Sequence, residues 1–308
     1  MGGIFAGFAT ISILIGVGIL LAHVGLVDAG GQRTLAVITF YVASPALLVT
    51  MLSGSNVHEL FSRNLIATGG AVVVSGALAA LAARARRLAL GEAVISVYAA
   101  SYVNAANLGI PIAVYVLGDA SLVVPTLLLQ LVVLQPVGLT LLDAAVAHER
   151  LTVRAALSRP VRNPMTIGSV LGLVMALTGF ELPTVVADPL ALLGGMAVPG
   201  MLLAYGISLR LGPLPGRGAP AAQLGTAVGL KMVLQPLAAY LIGRYLLGMT
   251  GDPLLAVTVL SALPTAQNIF VTAVRYDRGV LLARDAVFVS TILALPVVLV
   301  ISALLARH

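Results

Sequence analysis

Apolar residues run through this chain in long blocks, and polar residues gather in the short connections between them. About 20 apolar residues are needed for a helix to cross the hydrocarbon core of a bilayer. Ten blocks meet that length: Ile4–His23, Thr34–Ser53, Leu65–Ala83, Glu92–Leu117, Ser121–Leu142, Pro164–Phe180, Pro189–Leu209, Ala222–Gly243, Leu254–Val274 and Asp285–Leu305. The pattern predicts an all-α polytopic membrane protein with ten transmembrane helices. The longest internal hydrophilic connection, residues 144–163, separates a first five-helix repeat (1–143) from a second (164–308). No stretch is long or polar enough to form a separate soluble domain.

Two blocks are interrupted. Span 4 contains Asn104, Asn107, Gly109 and Pro111, and span 9 contains Pro264, Gln267 and Asn268. Hydrocarbon offers no partner to a freed backbone group, so irregular backbone at this depth must be buried in protein or line a cavity. Pro111 suits the first turn of a helix, and Gly109 can turn the chain sharply just before it. Span 4 is therefore expected to break between about Asn104 and Pro111, and span 9 at Pro264. Pairs of Pro/Gly-interrupted spans in corresponding halves point to a transporter binding site. The halves also share Pro45-Ala46-Leu47-Leu48 with Pro199-Gly200-Met201-Leu202, and Pro136 with Pro296. Five spans per half is an odd number, so the second half is expected to sit upside down relative to the first.

Composition agrees with a membrane protein: 60% of the 308 residues are hydrophobic and 9% charged, against about 25% charged in a soluble domain. Charge then orients the spans. The connections after spans 1, 3, 5, 7 and 9 hold Arg33, Arg84, Arg86, Arg87, Arg150, Arg154, Arg159, Arg162, Arg210, Arg217, Arg275, Arg278 and Arg284. Only Arg63, Arg244 and Arg307 lie on the other side. Lys/Arg excess marks the cytoplasmic face, so both termini are expected outside a multi-pass inner (plasma) membrane protein. The N-terminus lacks a positive n-region, and no cleavable signal peptide is expected. The basic balance sets topology and does not call for nucleic acid.

Chemistry concentrates at the breaks. Half-helix N-termini meeting near the midplane present unpaired N–H groups, which form an anion site without a basic side chain. Asn104, Asn107, Gln267 and Asn268 can donate and accept, either orienting a carboxylate or tying the crossing backbones together. Tyr102, Gln130 and Gln135 are candidates for the cavity edge. Lys231, the sole lysine, lies in mid-span 8, where ionisable residues face an interior or a water path. It is read either as a charge partner or coupling residue, or as half of an internal ion pair with Glu92, Asp143 or Asp285. Cysteine is absent, the histidines are scattered, and neither a P-loop nor HExxH occurs. No cofactor, metal or enzymatic activity is expected.

The two crossovers resemble those of the auxin efflux carrier family, which includes plant auxin exporters and bacterial carriers of malate- or malonate-like acids. Asn104 stands seven residues before Pro111 in Gly109-Ile110-Pro111, as in the plant members. Ala262-Leu263-Pro264 with Ala273-Val274-Arg275-Tyr276, and Arg162-Asn163-Pro164 with Leu182-Pro183, are similar to family sequences. The resemblance implies a bile-acid-transporter-like inverted repeat, often homodimeric. Helices 1, 2, 6 and 7 would be the scaffold, and helices 3–5 and 8–10 an elevator-type transport domain. It implies transport of small organic anions, mono- or dicarboxylates, with Asn104 on the carboxylate; a proton, through Lys231, or a sodium ion is the candidate coupling ion. Thr265-Ala266-Gln267-Asn268 replaces the plant sequence after the second proline, which argues against auxin itself. The alternatives are a sodium-coupled symporter of the bile-acid type and, in another class, a membrane sensor, which here lacks a soluble output domain.

Overall fold

The computed structural model describes residues 2–54, 62–109, 112, 113, 117, 120–147, 164–214 and 216–305. Those residues are helical with no strand. In chain order the helices are α1 (Gly2–His23), α2 (Ala29–Ser53), α3 (Arg63–Ala85), α4 (Leu90–Ser101), α5 (Val124–Val146), α6 (Pro164–Thr178), α7 (Thr184–Leu211), α8 (Ala221–Leu246), α9 (Gly251–Ser261), α10 (Gln267–Tyr276) and α11 (Val280–Leu305). Six of them, α2, α3, α5, α7, α8 and α11, are long and apolar enough to cross a membrane.

Where these bounds depart from the apolar blocks, the reasons are local. Helix α7 starts at Thr184, five residues ahead of the expected Pro189, which lies inside it. The carbonyl that Pro189 would leave unpaired belongs to Val185, which is 83% exposed at the helix start, so little is lost there. Helix α4 ends at Ser101, earlier than the expected Asn104, because Tyr102 turns to extended backbone (φ −86°, ψ 108°).

Small residues set the closest packing. Gly18 of α1 and Gly206 of α7 face each other so closely that a Cβ on either would strike the other backbone. Gly168 and Gly172 of α6 lie in the same way on Pro45 and Leu48 of α2. Close backbone approach is how helices associate where lipid removes the hydrophobic drive. Helix α2 thus packs on both α6 and α7, and α3 on both α4 and α8. Helix α10 packs against α11, α7 and α2. A shared core joins the groups, with Tyr205 of α7 edge-on to Phe270 of α10 (5.4 Å) and its hydroxyl donating to the Arg284 carbonyl (2.9 Å).

Three long helices contain a wide π turn that ends just before a proline. The N–H of Ser44 reaches the Thr39 carbonyl, that of Gln135 the Gln130 carbonyl, and that of Gln235 the Leu230 carbonyl. The next residues are Pro45, Pro136 and Pro236. A proline ring clashes with the carbonyl four residues back, and an inserted residue moves that carbonyl aside. Each time, the residue before the proline is a buried polar one. Two more π turns occur among the described residues: Ile242–Leu246 at the end of α8, with no proline after it, and Ala105–Gly109, which precedes Ile110-Pro111 outside the described residues.

Candidate functional site

The breaks after α4 and α9 cross each other. Val103 and Thr265 form an antiparallel bridge. Asn104 N–H donates to the Pro264 carbonyl (2.8 Å), and Ala266 N–H to the Tyr102 carbonyl (3.2 Å). Thr265 fastens the crossing further: its hydroxyl donates to the Ala99 carbonyl (2.6 Å), and its N–H donates to Ser290 Oγ (3.0 Å). These bonds answer the requirement that backbone freed from a helix in a buried setting be paired elsewhere.

A cavity with about 60 Å³ of free space opens against the crossing. Tyr102, Asn104, Gln267 and Asn268 line it from the crossing, and Gln130 and Gln135 from α5. The Asn104 amide donates to Gln267 Oε1 (2.7 Å), tying one break to the other across 163 residues. The Tyr102 hydroxyl donates to Gln135 Oε1 (3.2 Å) and lies beside the Asn268 amide. Gln130 Nε2 donates to the Val103 carbonyl (2.8 Å). Helix α10 begins at this cavity with Ala266 as its N-cap, and no side chain caps it. Its first N–H groups therefore carry the partial positive charge of a ten-residue helix toward the cavity.

The sequence candidates divide accordingly. Asn104, Gln267, Asn268, Tyr102, Gln130 and Gln135 come together around the cavity. Pro264 does not line it, and serves through its carbonyl. Gly109 also stays off the cavity, and its backbone is not in the left-handed region expected of a sharp turn. A Cβ there would press on Val123 (2.8 Å) and Leu263 (3.2 Å), so close packing explains the glycine. The Asn107 side chain and Pro111 lie outside the described residues. Sequence reasoning missed the opposite wall: Ser44, Leu47, Leu48 and Met51 of α2, Met165 of α6, and Val198 and Met201 of α7. Its signal was present, since Pro45–Leu48 and Pro199–Leu202 stood out as markers of the repeat.

Lys231 is fully buried, but the ion pair with Glu92, Asp143 or Asp285 is not formed. Its ammonium donates to Gln235 Oε1 (2.9 Å) and to the Ser261 carbonyl at the end of α9 (3.0 Å). Gln235 Nε2 then donates to the Ser101 carbonyl at the end of α4 (3.0 Å). One lysine–glutamine unit thus joins the carbonyl ends of both half-helices, and a cation there meets the negative end of the helix dipole. Asp285 and Asp143 are engaged elsewhere. Asp285 takes Arg284 (2.7 Å) and the N–H groups of Gly218 and Ala219, while Asp143 accepts the Tyr276 hydroxyl (2.7 Å).

Comparison with known proteins identifies the family. The family described as "Membrane transport protein" matches residues 137–302. A "Putative malonate transporter" of Rhizobium meliloti is 30% identical over 296 residues, covering 92% of this chain and 90% of its own. An "Uncharacterized transporter" of Methanothermobacter thermautotrophicus is 29% identical, covering 93% of each. A "Probable auxin efflux carrier component 5c" of Oryza sativa is 32% identical over 162 residues, half of this chain and 42% of its own. The chain is therefore a multi-pass membrane transporter, and it belongs to the membrane transport protein family that includes the auxin efflux carriers.

Proposed function

We propose that the protein is a secondary active or facilitative carrier of small organic anions, with a carboxylate bound at the crossing of the two broken helices. The observation that carries this reading is the cavity itself. It brings neutral amides and a hydroxyl together with the uncapped start of α10, a set suited to one anion held without a basic side chain. The "malonate transporter" name of a relative is in keeping with an organic acid. On this reading the chain is a ten-helix inverted repeat with both termini extracytoplasmic, and works as a homodimer. Helices α1, α2, α6 and α7 act as scaffold while the remainder moves as an elevator.

The sodium-coupled alternative has less support. The carbonyl ends at Ser101 and Ser261, which could ligate a cation, already accept Gln235 Nε2 and Lys231 Nζ. The test is exchange of labelled malate, malonate and short monocarboxylates in proteoliposomes, with and without internal unlabelled acid and at clamped sodium and pH. Saturable exchange of any one acid is expected. Absence of exchange with every acid, using folded protein, removes the anion reading, and loss of exchange without sodium restores the symporter.

A further inference from the structure

The cavity has two unlike walls. On the crossing and α5 side stand Tyr102, Asn104, Gln130, Gln135, Gln267 and Asn268. On the α2, α6 and α7 side, six of the seven lining residues are apolar, with Ser44 as the exception. No lysine, arginine or histidine lines the cavity among the described residues. Several donors on the polar wall are already used: Asn104 Nδ2 on Gln267, Gln130 Nε2 on the Val103 carbonyl, and Gln135 Nε2 on Met165 Sδ. The polar groups are thus gathered on one wall of the cavity.

Resting on the carboxylate reading above, we infer that the substrate is a short-chain monocarboxylate, taken as a monoanion with its apolar tail toward α2, α6 and α7. A dianion such as malonate would press its second carboxylate against Leu48, Met51 and Met201. Burying an unpaired charge there is strongly unfavourable. The free space is small, about 60 Å³, room for a few waters, which suits a short tail.

The decisive comparison varies charge on one carbon skeleton. Counterflow in proteoliposomes at about pH 8, where both malonate carboxyls are ionised, is challenged with butyrate, propionate, malonate and monomethyl malonate. Butyrate and monomethyl malonate are expected to compete at least about tenfold more strongly than malonate. Malonate competing as well as its monoester overturns the inference while leaving the carrier reading in place. No acid supporting counterflow overturns the carrier reading first. A gain-of-function variant gives an independent arm: Met51→Lys, on the half-buried part of the apolar wall, is expected to move the malonate-to-butyrate preference about tenfold toward malonate. An unchanged preference in folded Met51→Lys protein counts against the apolar wall as the tail site.

Discussion

Helices α5 and α8 carry the same tetrapeptide one hundred residues apart, Val133-Leu134-Gln135-Pro136 and Val233-Leu234-Gln235-Pro236. Both widen into a π turn before the proline, and both send the glutamine to the crossing. Their surroundings then diverge. Gln135 faces the cavity together with Gln130 and meets the Tyr102 hydroxyl and Met165. Gln235 meets the carbonyl end of α4 and is paired with Lys231, which meets that of α9, away from the cavity. One backbone device therefore serves two settings: beside free space and neutral side chains in α5, and packed against a lysine in α8. On the proposed reading, the difference separates binding from scaffolding in a region where both depend on polar side chains.

The strongest way to break that distinction is at Lys231. Lys231→Met leaves the Ser261 carbonyl and Gln235 Oε1 buried without their donor, at a cost of about 2–3 kcal/mol. A large drop in thermal midpoint in detergent is expected, with loss of transport following the loss of fold. If Lys231→Met keeps its midpoint and alters only transport, the lysine belongs to the mechanism and not to the scaffold. Next in size is the glutamine pair. Gln235→Ala is expected to cost about 1–2 kcal/mol of stability, since the Ser101 carbonyl is buried. Gln135→Ala, beside free space, is expected to spare stability and raise the KM for the transported acid. Equal behaviour of the two variants in both measurements would erase the contrast.

A third expectation concerns the bond that joins the breaks. Asn104→Ala, Gln267→Ala and the double variant should show a coupling of about 1 kcal/mol in thermal stability, because each amide is the other's partner. Additive effects would mean that the 2.7 Å contact contributes little beyond its separate parts.

Much of this was visible in the apolar pattern, and the reasons for the gaps are physical. Polar and proline residues inside an apolar block announce irregular backbone, because lipid leaves no other explanation; the crossing and six of its lining side chains follow from that. Hydrogen-bond partners do not. Lys231 sits in a sequence that permits a salt bridge, and only the register of α8 against α9 decides for the Ser261 carbonyl. The apolar wall was hidden for the opposite reason, since Leu48 or Met201 looks the same whether it faces lipid, core or substrate. Proline alone was ambiguous too. Pro189 and Pro296 lie within helices, while Pro45, Pro136 and Pro236 follow π turns. A buried polar residue before the proline, Ser44, Gln135 or Gln235, separates the second group from Pro189, preceded by exposed Asp188, and Pro296, preceded by Leu295.

That observation yields the smallest effect and the sharpest test of the comparison. If proline creates the π turn, Pro136→Ala and Pro236→Ala should both allow the helix to relax to ordinary α geometry. If bonds to the crossing also hold the turn, the two must differ. In α8 the wide turn is held by three side-chain bonds from Lys231 and Gln235, including both half-helix ends. Pro236→Ala should therefore leave both stability and KM within about 0.5 kcal/mol of the parent. In α5 the bonds run to the Val103 carbonyl, a tyrosine hydroxyl and a thioether beside the cavity, and the last of these is weak. Pro136→Ala should relax that turn and swing Gln135 away from Tyr102. The KM for the acid should then rise about two- to fivefold, equivalent to about 0.4–1 kcal/mol, with the thermal midpoint nearly constant. A KM shift in Pro236→Ala as large as in Pro136→Ala would place the proline, and not the side-chain anchors, in control of both turns.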